Sequence, residues 1–231
     1  PRIAMSYSFE SRAASAPKIA GNAVKRYYTT PYIDQKHNAF GPLYQDNIDV
    51  AVINIGHEDL DRYKLLVISG EYLMDRAATD AVRRYVSNGG TVVMTAFSDK
   101  VDETAQWYDT PLPGRLADVF GLKTKEFYQR NEPLTGTIDG TAFKTTIHFY
   151  EVLEPSTAQV VARFSNVEGA PPAITVNRFG KGKAIYVATP AQPSIMQPLY
   201  RGLYAELGIV PGPRTPDGVF ARAVDGRGWY V

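Results

Sequence analysis

The residues best placed to do chemistry follow three short apolar runs. Val50-Ala51-Val52-Ile53-Asn54, Leu65-Leu66-Val67-Ile68 and Thr91-Val92-Val93-Met94-Thr95 read as strands of a parallel sheet buried on both faces. Open α/β sheets bind ligands beyond the carboxyl ends of their strands. Those ends carry His57, then Ser69-Gly70-Glu71-Tyr72, then Ala96-Phe97-Ser98-Asp99. Glu71, Asp99, Asp102 and Glu103 could gather on one rim. Paired carboxyl groups about 5–9.5 Å apart hydrolyse glycosides, but an acidic rim is more often a solvated or interface feature. Asn131-Glu132 precedes Pro133 in a turn-rich stretch and reads as a coincidence, not as an acid/base pair.

Other chemistries find less support. Ser69 and Ser98 lack the G-x-S-x-G elbow that exposes a nucleophilic serine. His37 reads as a surface-helix residue and His148 as a strand residue, leaving His57 as the one histidine expected near the strand ends. No pair of histidines has zinc-ligand spacing, so no metal is expected. Neither strand-end loop is a G-x-G-x-x-G fingerprint. Gly180-Lys181-Gly182-Lys183 lacks the Walker spacing and reads as a hairpin turn. No cofactor is expected.

The elements that must position these residues alternate in type. A first strand covers Arg2 to Tyr7, and residues 9–31 read as a loop or lid with some helix. A helix is expected from about Ile33 to Gln45. Asp75 is a good N-cap for a helix running to about Ser87, with Ala78, Val82, Tyr85 and Val86 on one face. Asn88-Gly89-Gly90 ends it. Two successive strand-helix-strand units imply right-handed crossovers and a parallel sheet. A helix from Pro113 to Phe120 follows. Strands then dominate, at 125–128, 135–138, 145–150, 159–163, 173–179 and 183–188. A last helix spans about Ser194 to Leu207 and ends at Gly208. The expected fold class is therefore α/β: an open, mostly parallel sheet flanked by helices, with added strands in the second half.

Composition narrows the function classes. The chain has 231 residues, with 25 Lys and Arg against 24 Asp and Glu, a net charge of +1. That balance argues against a nucleic-acid binder relying on bulk charge. Hydrophobic residues make up 44%, which suits a packed core. No apolar run approaches the roughly 18 residues needed to cross a bilayer, so no membrane partner is expected. Cysteine is absent, which removes disulfides, thiolate ligands and cysteine nucleophiles. No Asn-x-Ser/Thr sequon is present. Both ends read as cut within strands, so the chain is expected to be a piece of a longer protein.

One ordered series resembles a known family. It runs Tyr63 to Ile68, Tyr72-Leu73-Met74-Asp75, Tyr85 to Thr95, Phe97 to Glu103, Leu112 to Leu116, Phe120-Gly121-Leu122, Phe179 to Ala188 and Leu207-Gly208-Ile209. This resembles the middle, trimerisation domain of glycoside hydrolase family 42 β-galactosidases. Phe9 to Tyr32 departs from the family pattern. The resemblance implies a flavodoxin-like domain over 1–212, similar in fold to class I glutamine amidotransferases. Residues 213–231 would be a proline-bearing linker and the start of a C-terminal β domain. It implies that a catalytic barrel, about 250 residues alone, lies upstream, and that galactosides are cleaved there. The amidotransferase nucleophile would fall near Ala96, and without cysteine that chemistry is unavailable.

The resulting expectation is a non-catalytic domain holding β-galactosidase subunits in a homotrimer. Loop aromatics suit such a surface: Tyr27, Tyr28, Tyr32, and above all Tyr72, Phe97, Trp107 and Tyr108, which are the candidate interface or neighbour-pocket residues. Two alternatives stand beside it. One is a small-molecule hydrolase using Glu71, His57 or Asp99 as acid/base. The other is a carbohydrate-binding module stacking sugar on Trp107 and Tyr108.

Overall fold

The computed structural model describes residues 1–15, 31–216, 218–223 and 229–230. Three apolar strands, β1 (Ile3–Ser6), β3 (Leu65–Ile68) and β4 (Thr91–Thr95), are buried at every position. Such strands need cover on both faces, the condition a parallel sheet with flanking helices meets. With β2 (Val50–Ile53), β9 (Gln159–Arg163), β10 (Pro172–Phe179) and β11 (Gly182–Val187) they form a seven-stranded sheet, order β2-β1-β3-β4-β11-β10-β9. The first five strands in that order are parallel and the last two joins are antiparallel. Gly180 carries the turn of the β10–β11 hairpin with φ of 57°, as the sequence predicts.

The helices are α1 (Phe9–Ala14), α2 (Tyr32–Gln45), α3 (Arg76–Asn88), α4 (Ala117–Phe120) and α5 (Pro193–Leu207). Asp75 caps α3, its Oδ1 accepting the Ala78 N–H at 2.7 Å. Gly89 ends α3 with φ of 120°, a conformation only glycine adopts readily. Val82, Tyr85 and Val86 are buried beneath α3. The helix α5 lies on α2, and the Tyr200 hydroxyl donates to the Ala39 carbonyl at 3.1 Å. Gly182 is fixed by close approach: an added Cβ would sit 2.1 Å from the Val86 carbonyl oxygen.

Three sequence expectations shift. The strand expected at 145–150 is β8 (Phe149–Pro155), paired with β5 (Leu122–Gln129), and β7 (Thr141–Lys144), paired with β6 (Thr135–Ile138), precedes it. The Gln192 Oε1 accepts the N–H groups of Thr146 and Ile147 at 2.8 and 3.3 Å, which holds that stretch out of a ladder. His148 therefore lies in the loop before β8. The helix expected from Pro113 divides into a 3-10 turn at Gly114–Leu116 and α4. Tyr32, expected in a loop, opens α2 and is buried. Tyr27 and Tyr28 lie outside the described residues.

The proline-bearing stretch after Gly212 is strapped to the α/β body. Asn47, 3% exposed, donates from Nδ2 to the Pro213 carbonyl and Thr215 Oγ1 at 2.8 and 3.1 Å. Its Oδ1 accepts from the Ala221 N–H at 2.8 Å. Phe220 packs on Tyr44, and the Arg222 guanidinium lies over the same ring. Asn47 also holds φ of 54°, which asparagine tolerates better than alanine. Asn47→Ala is expected to loosen this strap by about 1–3 kcal/mol. Amide exchange should then rise at residues 213–222 and stay unchanged in β3 and β4; equal exchange throughout would refute it.

Candidate functional site

Two buried ion pairs sit behind the carboxyl ends of the parallel strands. The first joins α2 to the loop after β3. Glu71 is 2% exposed, and its Oε1 accepts from Lys36 Nζ and, at 2.9 Å, from the Tyr32 hydroxyl. Lys36 also donates to Ser6 Oγ at the end of β1, 3.2 Å away. Burial pulls the Lys36 ammonium below its ordinary pKa, against the opposing pull of Glu71. Burial and the Glu71 charge both push the Tyr32 hydroxyl upward.

The second pair holds the turn after β4. Lys100 Nζ lies 3.0 Å from Glu151 Oε1, and both side chains are fully buried. The same Oε1 accepts the Phe97 N–H at 2.8 Å, while Oε2 accepts from the Tyr186 hydroxyl at 2.6 Å and Thr124 Oγ1 at 3.0 Å. Phe97 has φ of 68°. Asp99 in the same turn also holds a left-handed conformation, with φ of 52°. Burial and the Glu151 charge raise the Tyr186 hydroxyl well above its ordinary pKa.

Of the expected rim residues, Glu71, Glu103 and His57 line one cleft, while Asp99 and Asp102 do not line it. Asp99 is fully buried, and its Oδ2 accepts the Leu116 N–H at 3.1 Å. Desolvation pushes its carboxyl up to about 6. Asp102 spends one oxygen holding a turn, accepting from the N–H groups of Thr104 and Gln106. Glu103 pairs with Arg115 at 2.9 Å. Ser98 Oγ accepts the Glu71 N–H at 3.2 Å, and Ser69 Oγ donates to the Gln35 carbonyl at 3.2 Å. Glu132 is exposed beside Arg130. Among the described residues no group of histidine and carboxylate side chains could hold a metal ion.

Three of the candidate interface aromatics, Tyr72, Phe97 and Trp107, fall in one cluster with different exposures. Tyr72 and Phe97 stack at 5.5 Å and are 5% and 3% exposed, packed inward against Phe149. Trp107 meets Tyr72, Phe97 and Phe127 edge-on and remains 45% exposed. Tyr108 is half-buried against Gly114 and donates to the Met74 carbonyl at 3.3 Å. Trp107 alone of the four presents a largely free face.

Sequence reasoning named Glu71 but missed its partner Lys36. Lys36 falls on the face of α2 that buries Tyr32, Ala39 and Leu43, and a lysine at that helical spacing was the available signal. Lys100, Glu151 and Tyr186 come from three separate segments, and no local pattern links them.

Comparison with known proteins fits this architecture. Residues 1–210 match the family model described as the β-galactosidase trimerisation domain. The chain is 27% identical to the β-galactosidase BgaP of Planococcus sp. strain L4 over 230 residues, covering 94% of this chain and 32% of that protein. It is 30% identical to the β-galactosidase BgaB of Geobacillus sp. strain Y412MC61 over 184 residues, covering 78% of this chain and 27% of that protein. The crystal structure of β-galactosidase from Bacillus circulans sp. alkalophilus superposes with a TM-score of 0.87 at 27% identity, covering 97% of this chain and 34% of that one. The chain thus spans about a third or less of the relatives it matches. On the match across residues 1–210, it belongs to the family of β-galactosidase trimerisation domains.

Proposed function

We propose that this chain serves as the non-catalytic assembly domain of a β-galactosidase, holding three copies in a closed ring. The match of residues 1–210 to the trimerisation-domain family carries the reading. Heterologous contacts that close under three-fold rotation give such a ring. Trp107 is the proposed contact residue, with Tyr108 beside it and Tyr72 and Phe97 as the buried base that fixes its ring. Hydrolysis of terminal galactosides belongs, in this reading, to a barrel elsewhere in the parent protein. The turn hydrogen bonds that occupy Asp102 and the ion pair that occupies Glu103 support that division. The two-stranded ladder of β12 (Arg222–Ala223) and β13 (Trp229–Tyr230) is proposed as the start of a following β domain.

Sedimentation velocity of the purified chain tests the assembly, with a trimer expected and a shift toward monomer in Trp107→Ala. A buried interface tryptophan typically contributes about 2 kcal/mol or more, a 30-fold weakening. A strict monomer throughout, or an isolated chain that cleaves a nitrophenyl galactoside, would overturn the proposal.

A further inference from the structure

The order β2-β1-β3-β4 contains a reversal. The chain passes from β1 outward to β2, then crosses back to β3 on the other side of β1. Such a reversal leaves a crevice beyond the carboxyl ends of the two strands it separates, where open α/β sheets take their ligands. A cleft of about 160 Å³ lies at this place. Ser6 and Tyr7 line it from the end of β1, Asn54 and His57 from the end of β2, Glu71 from the loop after β3 and Asp75 from the start of α3. It has room for on the order of ten water molecules, the size class of a single sugar and far below a dinucleotide.

Glu71 gives the cleft its chemistry. Its Oε1 is engaged by Lys36 and Tyr32, while its Oε2 is buried and has no hydrogen-bond partner. Gln35, fully buried against Gly70, likewise has neither amide atom paired. Buried polar atoms are satisfied with few exceptions, and an unmade bond is costly. Glu71 lines a cleft at the switch point of the sheet, and its unpaired, buried oxygen points to a donor from outside the chain.

The charges define the donor. Among the described residues no Lys or Arg side chain lines the cleft. An anion would meet Glu10, Glu71, Asp75 and Glu103, with no basic side chain among the described lining residues. A free cation gains little either, because each of these carboxylates is already engaged. Lys36 holds Glu71, Arg115 holds Glu103, Asp75 caps the N-terminus of α3, and Glu10 accepts from Ser8 Oγ in the first turn of α1. The remaining wall offers hydroxyl, amide and imidazole groups and the half-buried ring of Tyr7, beside the buried, unpaired Oε2 of Glu71. Neutral hydroxyl groups satisfy such a wall, donating to Glu71 and accepting from its neighbours.

We propose that this cleft binds one neutral polyhydroxyl molecule of monosaccharide size, with Glu71 Oε2 accepting one of its hydroxyls. The proposal is independent of the assembly reading, since a trimer that binds no sugar and a monomer that binds one separate the two.

Titration calorimetry of the 231-residue chain with D-galactose, D-glucose and D-mannose, and with choline chloride and inorganic phosphate as controls, tests it. Saturable binding of at least one hexose is expected, with neither control binding. Glu71→Gln should weaken that hexose about tenfold through loss of a charge-assisted bond. Because Glu71 also anchors Lys36, the exposed Asn54→Ala is the second variant, expected to weaken binding severalfold with an unchanged melting temperature. No saturable binding of any hexose, preferential binding of choline or phosphate, or hexose binding unaltered in both variants would overturn the proposal.

Discussion

Lys100→Met should lower the free energy of unfolding by about 3–5 kcal/mol, because it strands a carboxylate in the core. Glu151 is fully buried and gives Oε1 to Lys100 and to the Phe97 N–H. Its bonds to Tyr186 and Thr124 survive the substitution, which places the expected loss toward the lower end of that range. The double variant Lys100→Met with Glu151→Leu should recover part of the loss, since apolar pairs often replace buried ion pairs at little cost. Urea denaturation of the parent, both single variants and the double variant gives the coupling directly. A Lys100→Met variant within about 1 kcal/mol of the parent would refute this account of the pair. The damage should also reach the surface. Phe97 holds its left-handed conformation with Glu151 accepting its N–H, and its ring packs edge-on against Trp107. Trp107 emission should shift to the red in the single variant before global unfolding.

Asp99→Asn should flatten the dependence of stability on pH. Burial raises the Asp99 carboxyl from 3.8 to about 6 in the folded chain. The folded state therefore keeps its proton over a range where the unfolded state has released it. The contribution is fully present below about pH 4 and is lost as pH rises through about 6, so stability from this group falls with rising pH. The shift corresponds to about 3 kcal/mol. Asparagine presents a carbonyl oxygen for the Leu116 N–H that Asp99 Oδ2 now accepts, and it carries no proton to lose. Subtracting the variant's curve of unfolding free energy against pH from the parent's should leave a step between about pH 4 and pH 7. Asp102, Glu103 and Asp118 are held below their ordinary values by hydrogen bonds and basic partners. Their opposite slope lies at lower pH and cancels in the difference. A flat difference curve would refute the buried, raised carboxyl.

The sheet was legible because its signals are local. Leu65–Ile68 and Thr91–Thr95 are uninterrupted apolar runs, and Asp75 and Gly89 bracket α3 with side chains and conformations that act within one turn. The β10–β11 hairpin was legible for the same reason, through the glycines between its strands. The strand at 149–155 was misplaced because Gln192, far along the chain, claims the amides of Thr146 and Ile147. No window around those residues contains that information.

The rim shows the same division. Strand polarity and the rule for open sheets were enough to bring Glu71, Ser98 and Asp99 to one end of the sheet from sequence. What each side chain does there was decided by partners that only folding supplies. Glu71 meets Lys36 from α2, and Phe97 and Lys100 meet Glu151 from β8. Tyr72, Phe97 and Trp107 were equal candidates for a surface, and packing with Phe127 and Phe149 buried the first two and left the third exposed. The sequence by itself determined the class of fold and the end of the sheet where polar residues gather, since periodicity, caps and turns are properties of neighbouring residues. The tertiary structure alone decided which of those residues are locked in ion pairs and which face solvent. Desolvation and pairing depend on groups distant in the chain, and their energies exist only once the sheet has brought them together.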